Sequence, residues 1–150
     1  MCIHGAIRIS EVSTVKIIVC LDDRDGMLFA GRRQSKDSLL RQRVLELTGE
    51  SPLWMNAYTA GQFTEASEKL CCDEAFLEKA APGEYCFVEN TDIRPYADQI
   101  ENVVIYRWNR VYPGDVKFPV ELFAHRWHKV SCREFVGSSH ESITEETYIL

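Results

Sequence analysis

The chain's 150 residues contain no run of the roughly 20 apolar residues that a bilayer-spanning helix needs, so no membrane partner is expected. Excess basic charge is missing as well. Lys and Arg number 17 against 23 Asp and Glu, and the balance of −6 would repel a phosphate backbone, so nucleic acid is not an expected partner either. There is no Gly-x-Ser-x-Gly, no phosphate-loop string and, with four histidines, no His-x-His-x-Asp-His string. Serine-hydrolase, P-loop and two-metal hydrolase chemistry therefore have no support. Repeats, low-complexity tracts and linkers are also lacking, which leaves no domain boundary between residues 15 and 150. Residues 1–14 carry His4, Arg8 and Glu11 and lack the continuous apolar core of a secretory signal. They are expected to be an N-terminal extension of a cytoplasmic protein.

What is there fits one packed domain. Hydrophobic content of 45% and charged content of 27% are ordinary for globular chains. A chain of this size buries roughly 68–70% of the surface its unfolded form exposes, enough for a core without staples. The six cysteines (Cys2, Cys20, Cys71, Cys72, Cys86, Cys132) lack the spacing of a small secreted framework and are expected to be reduced. Cys20 and Cys86 lie inside apolar runs, where a thiol packs as a small hydrophobe. Cys71-Cys72 has no second pair at ligand spacing, and His125, His128 and Cys132 supply no convergent set on a strand, so no metal site is assigned.

Hydrophobic period and turn chemistry divide the chain into elements. The β-branched run 15–21 reads as a buried strand ending at Asp22-Asp23, followed by a loop through Lys36. From Asp37 the residues Leu40, Val44 and Leu47 fall at helical spacing, with Gly49 placed to stop the helix. Residues 52–56 and 84–88 read as strands, 58–66 and 73–80 as helical segments, and 92–97 as a short helix. Residues 102–112 form the longest strand signal, broken by Pro113-Gly114-Asp115. Two further strands are expected near 127–135 and 143–149. The expected fold class is α/β: a central, mostly parallel sheet with helices on both faces and a C-terminal antiparallel hairpin.

The order of these elements and several strings together resemble the dihydrofolate reductase family over about residues 15–148. The resemblance rests on the opening strand through Asp22-Asp23 to Gly26-Met27, on Asp37 at a helix start, and on Pro52-Leu53-Trp54-Met55. It also rests on Asp73-Glu74-Ala75, Tyr85-Cys86-Phe87-Val88, the closing hairpin from Trp127 to His140, and Thr147-Tyr148. Gly114-Asp115-Val116-Lys117-Phe118-Pro119 carries it best, fitting the family's Gly-Asp-x-x-Phe-Pro turn. The resemblance implies an acidic role for Asp37 and cofactor-side positions at Thr59, Glu89 and Asn90. Yet Glu89-Asn90 stands where the family has a Gly-Gly pair that lets the cofactor's pyrophosphate approach the backbone. One carboxylate facing a phosphate charge at about 4 Å, with an effective dielectric near 20, costs roughly 4 kcal/mol. Ala57 replaces the arginine that pairs with the 2′-phosphate. Phe63 to Cys72 is too short for the strand and helix the family places there, and Ile17-Ile18 replaces small residues beside the pterin.

Candidate chemistry follows from these positions. Asp37 would be the proton-donating acid if burial raised its pKa; the alternative is a carboxylate capping a helix. Arg32, Arg33 and Lys36 precede a helix start where an anion could dock; the alternative is a solvated loop. Met27 and Phe29 would line an apolar pocket or plug the core. Tyr106, Trp108 and Tyr112 alternate along one strand, with Tyr106 a candidate substrate contact and a structural sheet face the alternative. The reading that results is a dihydrofolate reductase-like protein binding a small anionic or heterocyclic ligand without the standard NADPH grip, with no cofactor firmly expected and NADPH the candidate if there is one. Its rivals are an NAD(P)H-dependent reductase of a pteridine- or pyrimidine-like substrate and a non-catalytic interaction module. Oligomeric state is left open.

Overall fold

The computed structural model describes residues 14–65 and 68–150. All but the last residue of the expected N-terminal extension, and the end of the segment 58–66, lie outside that set. β1 (Val15–Leu21), β4 (Leu53–Met55), β5 (Leu70–Cys72), β6 (Tyr85–Phe87), β7 (Ile100–Arg107), β9 (His128–Phe135) and β10 (Ile143–Ile149) form one seven-stranded sheet. Its order is β5-β4-β6-β1-β7-β10-β9. The strands from β5 through β7 pair in parallel and β10 and β9 close the sheet antiparallel.

Side chains alternate across this sheet and feed two cores. Ile17, Val19 and Leu21 pack on one face with Phe76 and Leu77 of α3 (Phe76–Lys79). Ile18 packs on the other with Leu40 and Val44 of α1 (Ser38–Thr48). The helix follows from its sequence at both ends. Asp37 caps its first turn by accepting a hydrogen bond from the Leu40 amide, and Gly49 ends it at φ 57°. Lys69 then places its ammonium on the carbonyls of Leu45 and Gly49, a cation at a helix C-terminus. The short α2 (Ala57–Ala60) is capped by the Asn56 side chain. The segment expected at 73–80 shortens to α3, and the one expected at 92–97 is shifted two residues on, as a 3₁₀ helix at Arg94–Gln99.

Three expectations are corrected. The stretch from Asp22 to Lys36 is not all loop: β2 (Gly26–Phe29) and β3 (Arg32–Arg33) form a hairpin, and β8 (Val116–Lys117) pairs with β2 to complete a second antiparallel sheet. Its turn residues Ala30 and Gly31 both take positive φ, 53° and 75°, the conformation of a two-residue hairpin turn. Ala-Gly is a weak signal for it, and the third strand comes from far along the chain. Second, the stretch 63–72 retains an outer strand, β5, paired to β4 through Leu53 and Leu70. Third, the long strand stops at Arg107. Asn109 at φ 59° turns the chain, so Tyr112 leaves the sheet and its amide bonds the Asp22 carboxylate at 3.0 Å.

Among the described residues no helix is long and apolar enough to cross a membrane. Ile17 is fully buried at the centre of the sheet. Ile17→Ala is expected to cost about 2–5 kcal/mol of unfolding free energy, read from the urea midpoint at unchanged slope.

Candidate functional site

The carboxyl ends of β1 and β6, the β2–β3 hairpin and the start of α1 converge at one edge of the sheet, the place where open α/β sheets bind ligands. The centre of this edge is filled. Arg33 turns inward from β3 and donates from Nε to Glu89 Oε2 at 3.0 Å and from Nη2 to Oε1 at 3.1 Å, a two-pronged pair. Its Nη2 also donates to the Tyr58 carbonyl at 2.8 Å, and the guanidinium lies 4.2 Å from the centre of the Tyr58 ring. The Arg33 amide donates to the Tyr58 hydroxyl at 2.8 Å. Burial opposes the charge on Arg33, but the hydrogen bonds and charge of Glu89 outweigh it and raise its pKa. Between this pair, Cys20, Met27 and Trp108, the remaining hollow measures about 10 Å³, the room of one water. Burial, with Glu89 and Asp37 adding to it, pushes the Cys20 thiol up, which makes it a poor nucleophile.

Asp37 lies beside this plug with 1% of its surface exposed. Its Oδ1 accepts from the Leu40 amide at 2.8 Å, and Oδ2 accepts from the Ser139 amide at 2.7 Å and the Ser139 hydroxyl at 2.8 Å. Burial alone would raise its pKa, but these donors win and hold it down at about 2. A general acid needs a pKa near the working pH, so this carboxylate does not donate protons at neutral pH. It ties the turn after β9 to the helix. Gly137 makes the approach feasible, since a Cβ there would sit 2.4 Å from Asp37 Oδ2.

The remaining residues singled out from sequence scatter. Arg32 and Lys36 are exposed, and Phe29 is 50% exposed beside the hairpin turn. Arg33 is committed to Glu89, so the basic loop does not present three free cations. Met27 is buried between the plug and an open cavity. Tyr106 is a core residue whose hydroxyl donates to Glu145 at 2.9 Å, while Arg43 pairs with that carboxylate at 2.7 Å. Thr59 is fully buried, and its hydroxyl has no hydrogen-bond partner among the described residues. Asn90 accepts from the Asn56 amide at 2.8 Å. Glu89 faces Arg33 and is neutralised, so the repulsion expected from an isolated carboxylate is replaced by steric closure. Trp108 is buried, so Tyr106 and Trp108 offer no stacking platform. His125, His128 and Cys132 are exposed, and no group of three metal-ligating side chains occurs among the described residues.

An open cavity of about 180 Å³ adjoins the plug, between the Asn90–Arg94 turn on one side and Met27, Val116, Lys117 and Pro119 on the other. Lys117, which lines this cavity, was not singled out from the sequence, although the Gly-Asp-x-x-Phe-Pro turn containing it was the clearest local signal. No sequence signal marked Ser139, because only folding brings it to Asp37.

No family model matches the sequence, and no curated protein matches it. In three dimensions the chain is similar to dihydrofolate reductase from Enterococcus faecalis, solved in complex with NADP(H) and RAB-propyl. The TM-score is 0.64 at 14% sequence identity, covering 91% of this chain and 95% of that one. That likeness shows the fold: a dihydrofolate reductase-like α/β architecture.

Two stability measurements check this geometry. Arg33→Ala strands a buried carboxylate and is expected to cost about 3–5 kcal/mol, whereas replacing both partners, Arg33→Met with Glu89→Leu, costs much less. Asp37 binds its proton at lower pH folded than unfolded, so its stabilisation is complete above the unfolded pKa of about 4 and is lost as pH falls toward about 2. Asp37→Asn should therefore be less stable than the parent near neutrality, and the gap should close on acidification through that window.

Proposed function

We propose that this chain is a binding protein for a small anionic ligand, built on the dihydrofolate reductase-like fold and working without the reductase's dinucleotide grip. The observation that carries the reading is the Arg33–Glu89 pair, which leaves about 10 Å³ at the sheet edge while a cavity of about 180 Å³ stays open beside it. Ligand pockets for drug-sized molecules run about 300–1,000 Å³, so the open cavity suits something smaller than a dinucleotide. Lys117 faces the cavity with no ion-pair partner among the described residues, and Asn90, its amide oxygen taken by Asn56, keeps its NH₂ donors for a ligand. Arg94 adds a second cation at the rim, partly offset by Asp92 at 3.7 Å. A compact ligand with phosphate or carboxylate groups matches this lining. The ionised Asp37 also speaks against proton-assisted reduction. A cytoplasmic setting is part of the proposal, supported by the free thiols of Cys20, Cys71, Cys72, Cys86 and Cys132.

The reductase reading is the rival, favoured by the fold likeness to an enzyme solved with NADP(H). Thermal unfolding with inorganic phosphate, small dicarboxylates and NADPH separates the two. A small anion at about 100 times its Kd should add about 2.7 kcal/mol, a rise of several degrees in Tm. Lys117→Ala should abolish that rise without lowering the Tm of the unliganded protein. A saturable NADPH fluorescence enhancement that persists in Lys117→Ala would instead establish the reductase reading.

A further inference from the structure

A second polar cluster lies behind Asp37, away from the cavity at Lys117. His140 stacks on Trp108 with ring centres 4.7 Å apart and is 7% exposed. Its Nδ1 lies 2.6 Å from the Ser139 hydroxyl, and its Nε2 lies 2.5 Å from the Tyr112 hydroxyl. The Ser139 hydroxyl has one proton, which it gives to Asp37 Oδ2 at 2.8 Å. Nδ1 must therefore carry a hydrogen to meet that oxygen, and in the neutral ring Nε2 is the acceptor for Tyr112. Every bond then runs one way: Tyr112 to His140, His140 to Ser139, Ser139 to Asp37.

This relay joins three segments distant in sequence. Tyr112 belongs to the strap between β7 and β8, Ser139 and His140 to the turn between β9 and β10, and Asp37 to the start of α1. The strap has two further anchors on the loop after β1: the Tyr112 amide donates to Asp22 Oδ2 at 3.0 Å, and the Arg110 carbonyl accepts from the Asp23 amide at 2.9 Å. Tyr112, Pro113 and Gly114 also wall a cavity of about 130 Å³ together with Asp22, Arg24 and Lys117.

We propose that the neutral His140 ring is a pH-operated clasp that holds the 110–114 strap and the 137–142 turn onto the start of α1, and that protonating the ring releases the strap. Protonation puts a hydrogen on Nε2, so the Tyr112 hydroxyl can stay only as an acceptor with its own proton turned away. It also places a charge on a ring that is 7% exposed and lies beside Arg110, which the fold relieves by letting the strap open. The charged groups around the ring are unequal. Arg110 and Glu141 line the hollow beside it, and Asp37 lies one hydroxyl away. Burial first, then the Arg110 charge, lower the pKa of His140, with Asp37 opposing. A histidine that binds its proton less readily when folded contributes full stability above the unfolded pKa of about 6.5 and loses it as pH falls below that value. The clasp needs no ligand bound at Lys117 and is tested on the unliganded protein, so it stands or falls separately from the ligand reading.

Proton NMR of the His140 ring combined with amide exchange tests it. The ring should titrate below about 6.5. After correction for intrinsic rates, the Tyr112 amide should exchange about tenfold faster near pH 5 than near pH 8, while the β7 amides and the Ser139 amide, held by the still ionised Asp37, keep their protection. His140→Gln should remove that pH dependence. Tyr112→Phe, which keeps the ring but not the hydrogen bond, should show the fast exchange already near pH 8. Equal strap protection at both pH values, an unchanged pH response in His140→Gln, or full protection in Tyr112→Phe near pH 8 would each overturn the clasp.

Discussion

A carboxylate at the carboxyl end of a central parallel strand has to be neutralised, and in this chain Arg33 does it from 56 residues away. The placement of the β2–β3 hairpin, the closure of the sheet edge and the position of the open cavity all depend on that pair. Glu89 is nearly buried, so leaving it unpaired would carry the desolvation cost of an ion in the interior. Arg33 can meet it only if the hairpin folds inward over Tyr58, whose ring, carbonyl and hydroxyl all contact the arginine. Once the arginine is there, only about 10 Å³ is left between it, Cys20, Met27 and Trp108.

The second organising contact is Asp37, which serves two elements with one side chain. One oxygen caps α1 and the other receives the amide and hydroxyl of Ser139, so the closing hairpin is fastened to the first helix. A carboxylate held by so many donors is a poor proton donor and a good anchor. The same position in the chain can therefore carry the local appearance of a catalytic acid while its surroundings make it structural. Asp37, the candidate acid, and Glu89, the cofactor-side position read as a repelling charge, are thus both held by hydrogen bonds, Glu89 with a cation to neutralise it.

Most of the sheet was legible in the sequence because its strands announce themselves locally. The run 15–21 is β-branched, the 143–149 strand is bounded as read, and α1 shows helical spacing between a capping Asp and a terminating Gly. The hairpin was not legible, since Ala30-Gly31 is a weak turn signal and β8, which completes its sheet, lies far along the chain. β5 was missed because the stretch 63–72 was read as too short for a further strand and helix, although a three-residue strand fits within it. Of the site, Asp37 was identified as a position, with helix capping as one of its two readings. Glu89 was read as a bare repelling charge because its partner sits in what looked like loop.

The sequence by itself determined the fold class, the order of most elements and the ends of α1, since these follow from side-chain period, backbone sterics and capping within a few residues of each position. It also determined that positions 89 and 90 carry side chains, wherever the chain places them. Only the tertiary structure decided which charges meet. The Arg33–Glu89 pair, the Ser139 donors on Asp37 and the Tyr112–His140 contact join segments 28 to 102 residues apart. Electrostatic and hydrogen-bond energies fall off over a few ångströms of space, and sequence separation does not reveal that distance.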